Sequence, residues 1–192
     1  MKSSSKNLTT ARNLRARLGA VALATACALH GVAARPAQAG PNEARLKAAV
    51  IYNLAKYVNW PSEAVAQGQI MLCAYGKDEA EQALDEVDGR QAQGMVVHVR
   101  KLRSLDDIKS CHVLYLAASE HRAADSFARA AANLPLLTVS ERDAFAESGG
   151  MIGLVTVEER LRFDINLAAA QKNRLNISSN LLKLARNVIG AR

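Results

Sequence analysis

No acidic residue occurs in the first 39 positions of this 192-residue chain, and that one-sided start changes what the composition excludes. A formal charge of +7 suggests a basic domain that binds nucleic acid. Six of the 25 basic residues, Lys2, Lys6, Arg12, Arg15, Arg17 and Arg35, lie in those positions, which leaves 19 basic against 18 acidic residues in the remainder. A remainder near +1, with its arginines and lysines scattered, has no field able to hold a phosphate backbone. No nucleic acid is expected as a partner.

The apolar stretch of the leader, Leu18 to Leu29, falls short of the roughly 20 residues that a membrane-crossing helix needs. A basic segment, a short apolar segment and a tail ending Ala37-Gln38-Ala39 form the pattern of a secretory signal peptide, with cleavage expected before Gly40. An uncleaved anchor is disfavoured by the short, Ala-rich run. A lipoprotein reading through Cys27 is disfavoured because that residue sits inside the run. Residues 1–39 are thus read as signal peptide and 40–192 as a single domain in an exported protein.

Catalytic signatures are absent too. There is no Gly-x-Ser-x-Gly, no His-Glu-x-x-His and no Cys-x-x-Cys, the patterns that would carry hydrolase, metallopeptidase or thiol-exchange chemistry. His98, His112 and His121 are too spread to predict a metal site. Glu158 and Glu159 are neighbours on a turn and point apart, which is poor geometry for acid/base work. Gly76 follows a strand as a phosphate-binding loop would, yet Tyr75-Gly76-Lys77-Asp78 supplies one glycine where a dinucleotide turn needs three, and a compartment outside the cytoplasm lacks ATP and NAD pools. No catalytic residue, cofactor site or metal site is therefore expected.

Two cysteines remain after export, Cys73 and Cys111. An oxidising compartment favours a bridge between them; two free thiols in the core are the alternative.

Apolar periodicity supplies the fold. Asn42 is placed to cap a helix from Glu43 with a stripe of Leu46, Val50, Leu54, Tyr57 and Val58, stopped by Pro61. Apolar runs at Ile70–Tyr75, Met95–Val99, His112–Ala117 and up to Val139 read as strands. Asp78–Val87 and Arg122–Asn133 read as helices. Met151–Val157 and Leu161–Leu167 read as adjacent strands, the second with Leu161, Phe163, Ile165 and Leu167 inward and Arg160, Arg162, Asp164 and Asn166 outward. Gly149-Gly150 supplies the turn before them. Ser178 caps a last helix carrying Leu181, Leu184, Ala185 and Val188, with Gly190 past its end; that role is preferred to a glycosylation acceptor at Asn176-Ile177-Ser178. The prediction is an α/β three-layer sandwich with a mostly parallel sheet of about five strands and helices on both faces.

The outward row on the second of the paired strands is the feature that packing demands least. Its arginines either pair with neighbouring acids or present a forked donor surface to an acidic partner. Glu158, Arg160 and Arg162 are the candidate contact residues.

Several segments in order carry a resemblance: Lys47 to Pro61, Leu72-Cys-Ala-Tyr-Gly76, Cys111-His-Val-Leu-Tyr115, Leu137-Thr-Val-Ser140, Ser148-Gly-Gly-Met-Ile152, Leu161 to Leu167, and Ile177 to Ala185. Together they resemble the YfiR family of periplasmic proteins across essentially all of the chain after the leader. The resemblance implies a Rossmann-like domain without catalysis, often a homodimer. It implies repression of an inner-membrane diguanylate cyclase of YfiN type through its periplasmic part, hence control of cyclic di-GMP, with sequestration by an outer-membrane lipoprotein of YfiB type. It also implies that Cys73 and Cys111 are bridged. The family's second cysteine pair, flanking the Gly-Gly turn, has no counterpart in Phe145–Ile152, so redox sensing through that pair is not implied. The runner-up is a periplasmic small-molecule binder that feeds a sensor receptor.

Overall fold

The computed structural model describes residues 40–65 and 67–190; the signal peptide assigned to residues 1–39 lies outside them. In chain order the elements are α1 (Pro41–Leu54), β1 (Val58–Asn59), β2 (Gln69–Tyr75), α2 (Glu79–Ala83), β3 (Gln91–Ala92), β4 (Met95–Leu102), β5 (Val113–Leu116), α3 (Ala124–Ala130), β6 (Leu137–Ser140), β7 (Ile152–Val157), β8 (Arg160–Asn166), α4 (Leu167–Lys172), β9 (Asn176–Ile177), α5 (Ser179–Leu184) and β10 (Asn187–Ile189). Three short 3-10 helices, Leu84–Val87, Leu105–Ser110 and Ala118–Ala123, fill the connections. Among the described residues no helix is long and apolar enough to cross a membrane.

The main sheet has eight strands, in the order β10-β8-β7-β6-β5-β2-β4-β3, where the sequence predicts about five. The additions are β3 and β10, one at each edge of the sheet. Five neighbouring pairs run parallel; β3–β4 and β7–β8 are antiparallel. Central strands are apolar on both faces because both faces are covered. Leu72, Ala74, Val113, Tyr115 and Val139 belong to a core shared with Ile51, Tyr52 and Leu84, whereas Cys73, Leu114 and Leu116 belong to a second core with Phe127, Leu136 and Phe145. This is the three-layer α/β architecture expected.

Helix α1 is entered differently from expectation. Gly40, not Asn42, is the N-cap, and Pro41 at the first turn suits the helix because its missing N–H would be unpaired there anyway. Ala44, Lys47, Ala48, Ile51 and Tyr52 face inward, and Leu46 is 50% exposed. Small alanines let the helix lie close to the sheet, and Lys47 is drawn inward by acids described below. The helix stops at Leu54 because the side-chain amide of Gln93 donates to the carbonyls of both Ala55 and Val58, at 2.8 Å each. Val58 then pairs with Ile177 in a two-stranded sheet.

At the other end, the last helix is shorter than its apolar spacing predicts. Ser178 caps it as expected, its hydroxyl accepting from the Leu181 amide. The chain leaves the helix after Leu184, and Val188 and Ile189 pair with Ile165 and Asn166 of β8. β-branched side chains fit that pleated surface better than a helix. Gly190 takes φ +75°, where a Cβ would sit 2.6 Å from that of Ala168. Its positive φ matches the expectation, but it ends a strand, not a helix.

Candidate functional site

In a sheet of this order, the strand order reverses between the parallel neighbours β2 and β5, and ligands of such folds bind outside the carboxyl ends of those strands. Here the chain fills that place itself. Asp78, just past Gly76, accepts from the Glu81 amide at 2.6 Å and from the Ala118 amide at 2.8 Å, so one carboxylate serves the start of α2 and the turn after β5 together. The Tyr115 hydroxyl lies 2.9 Å from Asp78 Oδ2 and 2.9 Å from Glu141 Oε1, between two acceptors. The buried Lys47 ammonium pairs with Glu141 at 2.7 Å and Glu43 at 2.8 Å. Gly76 allows the approach, since a Cβ there would lie 2.7 Å from the Ser119 hydroxyl. The amides that would cradle a phosphate thus already hold a carboxylate of the protein.

This network perturbs its members. Burial and the adjacent Glu141 and Asp78 carboxylates hold the Tyr115 phenol far above its ordinary value. For Lys47, burial works downward, but the hydrogen bonds and charges of Glu141 and Glu43 outweigh it and raise the ammonium's pKa.

Cys73 on β2 and Cys111 ahead of β5 form a disulfide, with Cα atoms 5.8 Å apart across adjacent parallel strands. Arg100 of β4 sets its guanidinium beside both sulfurs, 3.8 Å from Cys73 Sγ and 3.6 Å from Cys111 Sγ, and also bonds Ser110. The three histidines do not converge, and no group of three or more metal-type ligands occurs among the described residues. His112 is bound internally: Nδ1 accepts from the Met71 amide at 2.8 Å, which leaves Nε2 to donate to the Ala64 carbonyl at 2.7 Å.

The three candidate contact residues do come together. β7 and β8 form a hairpin closed by the two-residue turn Glu158–Glu159, with Val157 opposite Arg160 and Val155 opposite Arg162. Both turn residues have positive φ, 48° and 59°, the backbone that Asn-Gly usually supplies. Glu158, Arg160 and Arg162 line a groove of about 460 Å³ whose other wall is the segment Lys183–Arg186. Val157 and Leu184, 37% and 61% exposed, add apolar surface to the same groove. Among the described residues, Arg160, Arg162 and Lys183 have no carboxylate within salt-bridge distance. An apolar strip with cations beside it is complementary in chemistry to an apolar and acidic surface.

The rest of the outward row behaves otherwise. Asp164 is buried and held by a two-point pair with Arg186, one contact at 2.8 Å. Asn166 caps α4 through the Ala169 amide and donates to the Ala146 carbonyl. The alternation is correct along β8, but β10 covers its second half, so only Arg160 and Arg162 stay wet. Sequence reasoning also missed Lys183 and Leu184 as groove residues, since helical spacing sends Leu184 inward. The pair Val188-Ile189 was the available signal that the helix ends early.

Comparison with known proteins agrees with the segment-by-segment resemblance. Two solved structures align with 13% identity and a TM-score of 0.49 each. One is described as an ABC domain in complex with L-Trp from Streptococcus pneumonia, covering 72% of this chain and 62% of its own. The other is a conserved domain protein from Vibrio cholerae O1 biovar El Tor strain N16961, covering 76% and 60%. The chain therefore spans less than two thirds of the length of either. The YfiR/HmsC-like family profile, by contrast, matches residues 44–186, from within α1 to the arginine that enters β10, and the chain belongs to the YfiR/HmsC-like family.

Proposed function

We propose that the protein is a non-enzymatic periplasmic regulator that represses an inner-membrane signalling enzyme, a diguanylate cyclase of YfiN type, by binding its periplasmic part. The observation that carries the reading is the family match over residues 44–186. Three further features support it. A bridge between Cys73 and Cys111 suits an oxidising compartment. The crevice where this fold would hold a nucleotide is taken up by Asp78, which favours action through the surface. The groove beside Glu158, Arg160 and Arg162 gathers exposed apolar side chains and unpaired cations, and we assign it the contact.

Two measurements test this. Deleting the gene should raise cyclic di-GMP, and restoring it should lower the level again. The purified 40–192 chain should bind the periplasmic part of the cognate cyclase, and Arg160→Glu with Arg162→Glu should weaken that binding at least tenfold. Unchanged cyclic di-GMP on deletion would sink the regulatory reading. Undiminished binding by the charge-reversed protein would move the contact elsewhere.

A further inference from the structure

The hairpin is paired unequally on its two sides, and this suggests how a partner is held. Along β8, residues Arg160 to Ile165 all have partners on β7. On the opposite side β10 meets only Asp164, Ile165 and Asn166. Among the described residues, therefore, no strand lies in the lane beside Arg160–Phe163. The Phe163 carbonyl points into that lane, since it accepts from the Arg186 amide at 2.8 Å. Side-to-side alternation along a strand then points both the N–H and the C=O of Leu161 into it as well.

The lane is open because the chain does not use it. Traced backward from Asn187, β10 would continue alongside Phe163 and Arg162, but the preceding residues turn away into α5, which ends at Leu184. What remains is the groove between the β8 edge and Lys183–Arg186. Exposed edges are commonly protected by charges, and Arg160 and Arg162 do serve that end. Protection alone does not call for Val157 and Leu184 to be exposed along the same groove, nor for a tip turn of two acidic residues at positive φ.

We propose that an extended segment of the partner adds as a further strand to the open edge of β8, in line with β10, presenting acidic side chains to Arg160, Arg162 and Lys183. Charge selects the occupant, because the cations unpaired around the lane need carboxylates. This rests on the docking reading above and adds a mode of binding to it. Main-chain pairing would give affinity, and the alternating arginines would set register.

The test is amide hydrogen exchange on the 40–192 chain, alone and with the periplasmic part of the cognate cyclase. The Leu161 amide should exchange fast in the free protein and slow at least a hundredfold in the complex, while the tip amide of Glu159 changes little. Leu161→Pro removes the outward donor without touching the β7 ladder and should weaken binding more than tenfold. Because that variant also loses side-chain packing, Lys183→Glu serves as a second, and it should weaken binding several-fold in a protein that folds normally. Binding that persists with the Leu161 amide unprotected overturns strand addition and leaves docking standing. Absence of any binding by the unmodified protein overturns both. Protection that grows with the concentration of this chain alone places a second copy in the lane and overturns the assignment to a partner.

Discussion

Replacing the turn Glu158-Glu159 with Asn-Gly should make the protein more stable without weakening its binding. Both residues have left-handed backbone, with φ of 48° and 59°, and L-residues pay roughly 1–2 kcal/mol each there. Asn reaches that region more readily than Glu, and Gly without strain, so most of about 2–4 kcal/mol is relieved in the folded state. Glycine returns about 0.5–1 kcal/mol through the freedom that it gives the unfolded chain. After allowance for partial relief at Asn, the net expectation is a gain of about 1 kcal/mol, or about 2–4 °C in Tm for a domain of this size. Urea unfolding of the oxidised protein reads it directly, with an unchanged m-value showing that the folded state is intact. Binding to the periplasmic part of the cyclase should hold or tighten over the same change, because an acidic partner met by Arg160, Arg162 and Lys183 gains nothing from two carboxylates at the tip. A variant no more stable than its parent would refute the account of strain. One that is stabilised but binds at least tenfold more weakly would place a basic group of the partner against Glu158 and refute the acidic occupant.

Three other outcomes follow from the interior. Cys73→Ala with Cys111→Ala opens a loop of 38 residues, and chain entropy sets the loss at about 4 kcal/mol, measurable as a lower urea midpoint that dithiothreitol does not lower further. Asp78→Ala orphans the Glu81 and Ala118 amides and leaves the Tyr115 hydroxyl with Glu141 alone, and should cost about 3 kcal/mol in the same assay; a loss under 1 kcal/mol would mean that water replaces the carboxylate freely. Stability should also fall at alkaline pH. Tyr115 ionises near its ordinary value of 10.0 only when unfolded, and the folded protein keeps the proton, so stability is fully present below pH 10 and is lost above it at about 1.4 kcal/mol per pH unit. Lys47, raised above its ordinary 10.5, acts with the same sign from slightly higher pH. Tyr115→Phe should flatten the slope by about one proton between pH 10 and 11, and an unchanged slope would count against the phenol as its source.

Much of the fold is legible in the chain because central strands of a parallel sheet are covered on both faces. Ile70–Tyr75 and His112–Ala117 are nearly unbroken apolar runs for that reason, and their boundaries shift by only a residue or so in the structure. Elements at the margins are less legible. The stripe of α1 is rotated because Glu43 and Glu141 bring Lys47 inward, and a local pattern carries no trace of Glu141, 94 positions away in the chain. The end of α5 is set by the edge of β8 that receives Val188 and Ile189. Arg160 and Arg162 could be picked out as wet residues from alternation, and Glu158 as their neighbour on the turn, whereas their groove needs Lys183 and Leu184, which arrive from another element.

The sequence by itself determined the α/β class, the cysteine pair and the charged row on β8, because each depends on residue type and short-range period. Tertiary structure decided which members of that row stay free. Asp164 is neutralised by Arg186, Asn166 is spent on the cap of α4, and β10 stops short of Arg160 and Arg162. It also decided that Asp78 occupies the crevice of the fold. The physical reason is common to both: a charge or an open strand edge has meaning only relative to the groups that pack against it, and those come from distant parts of the chain.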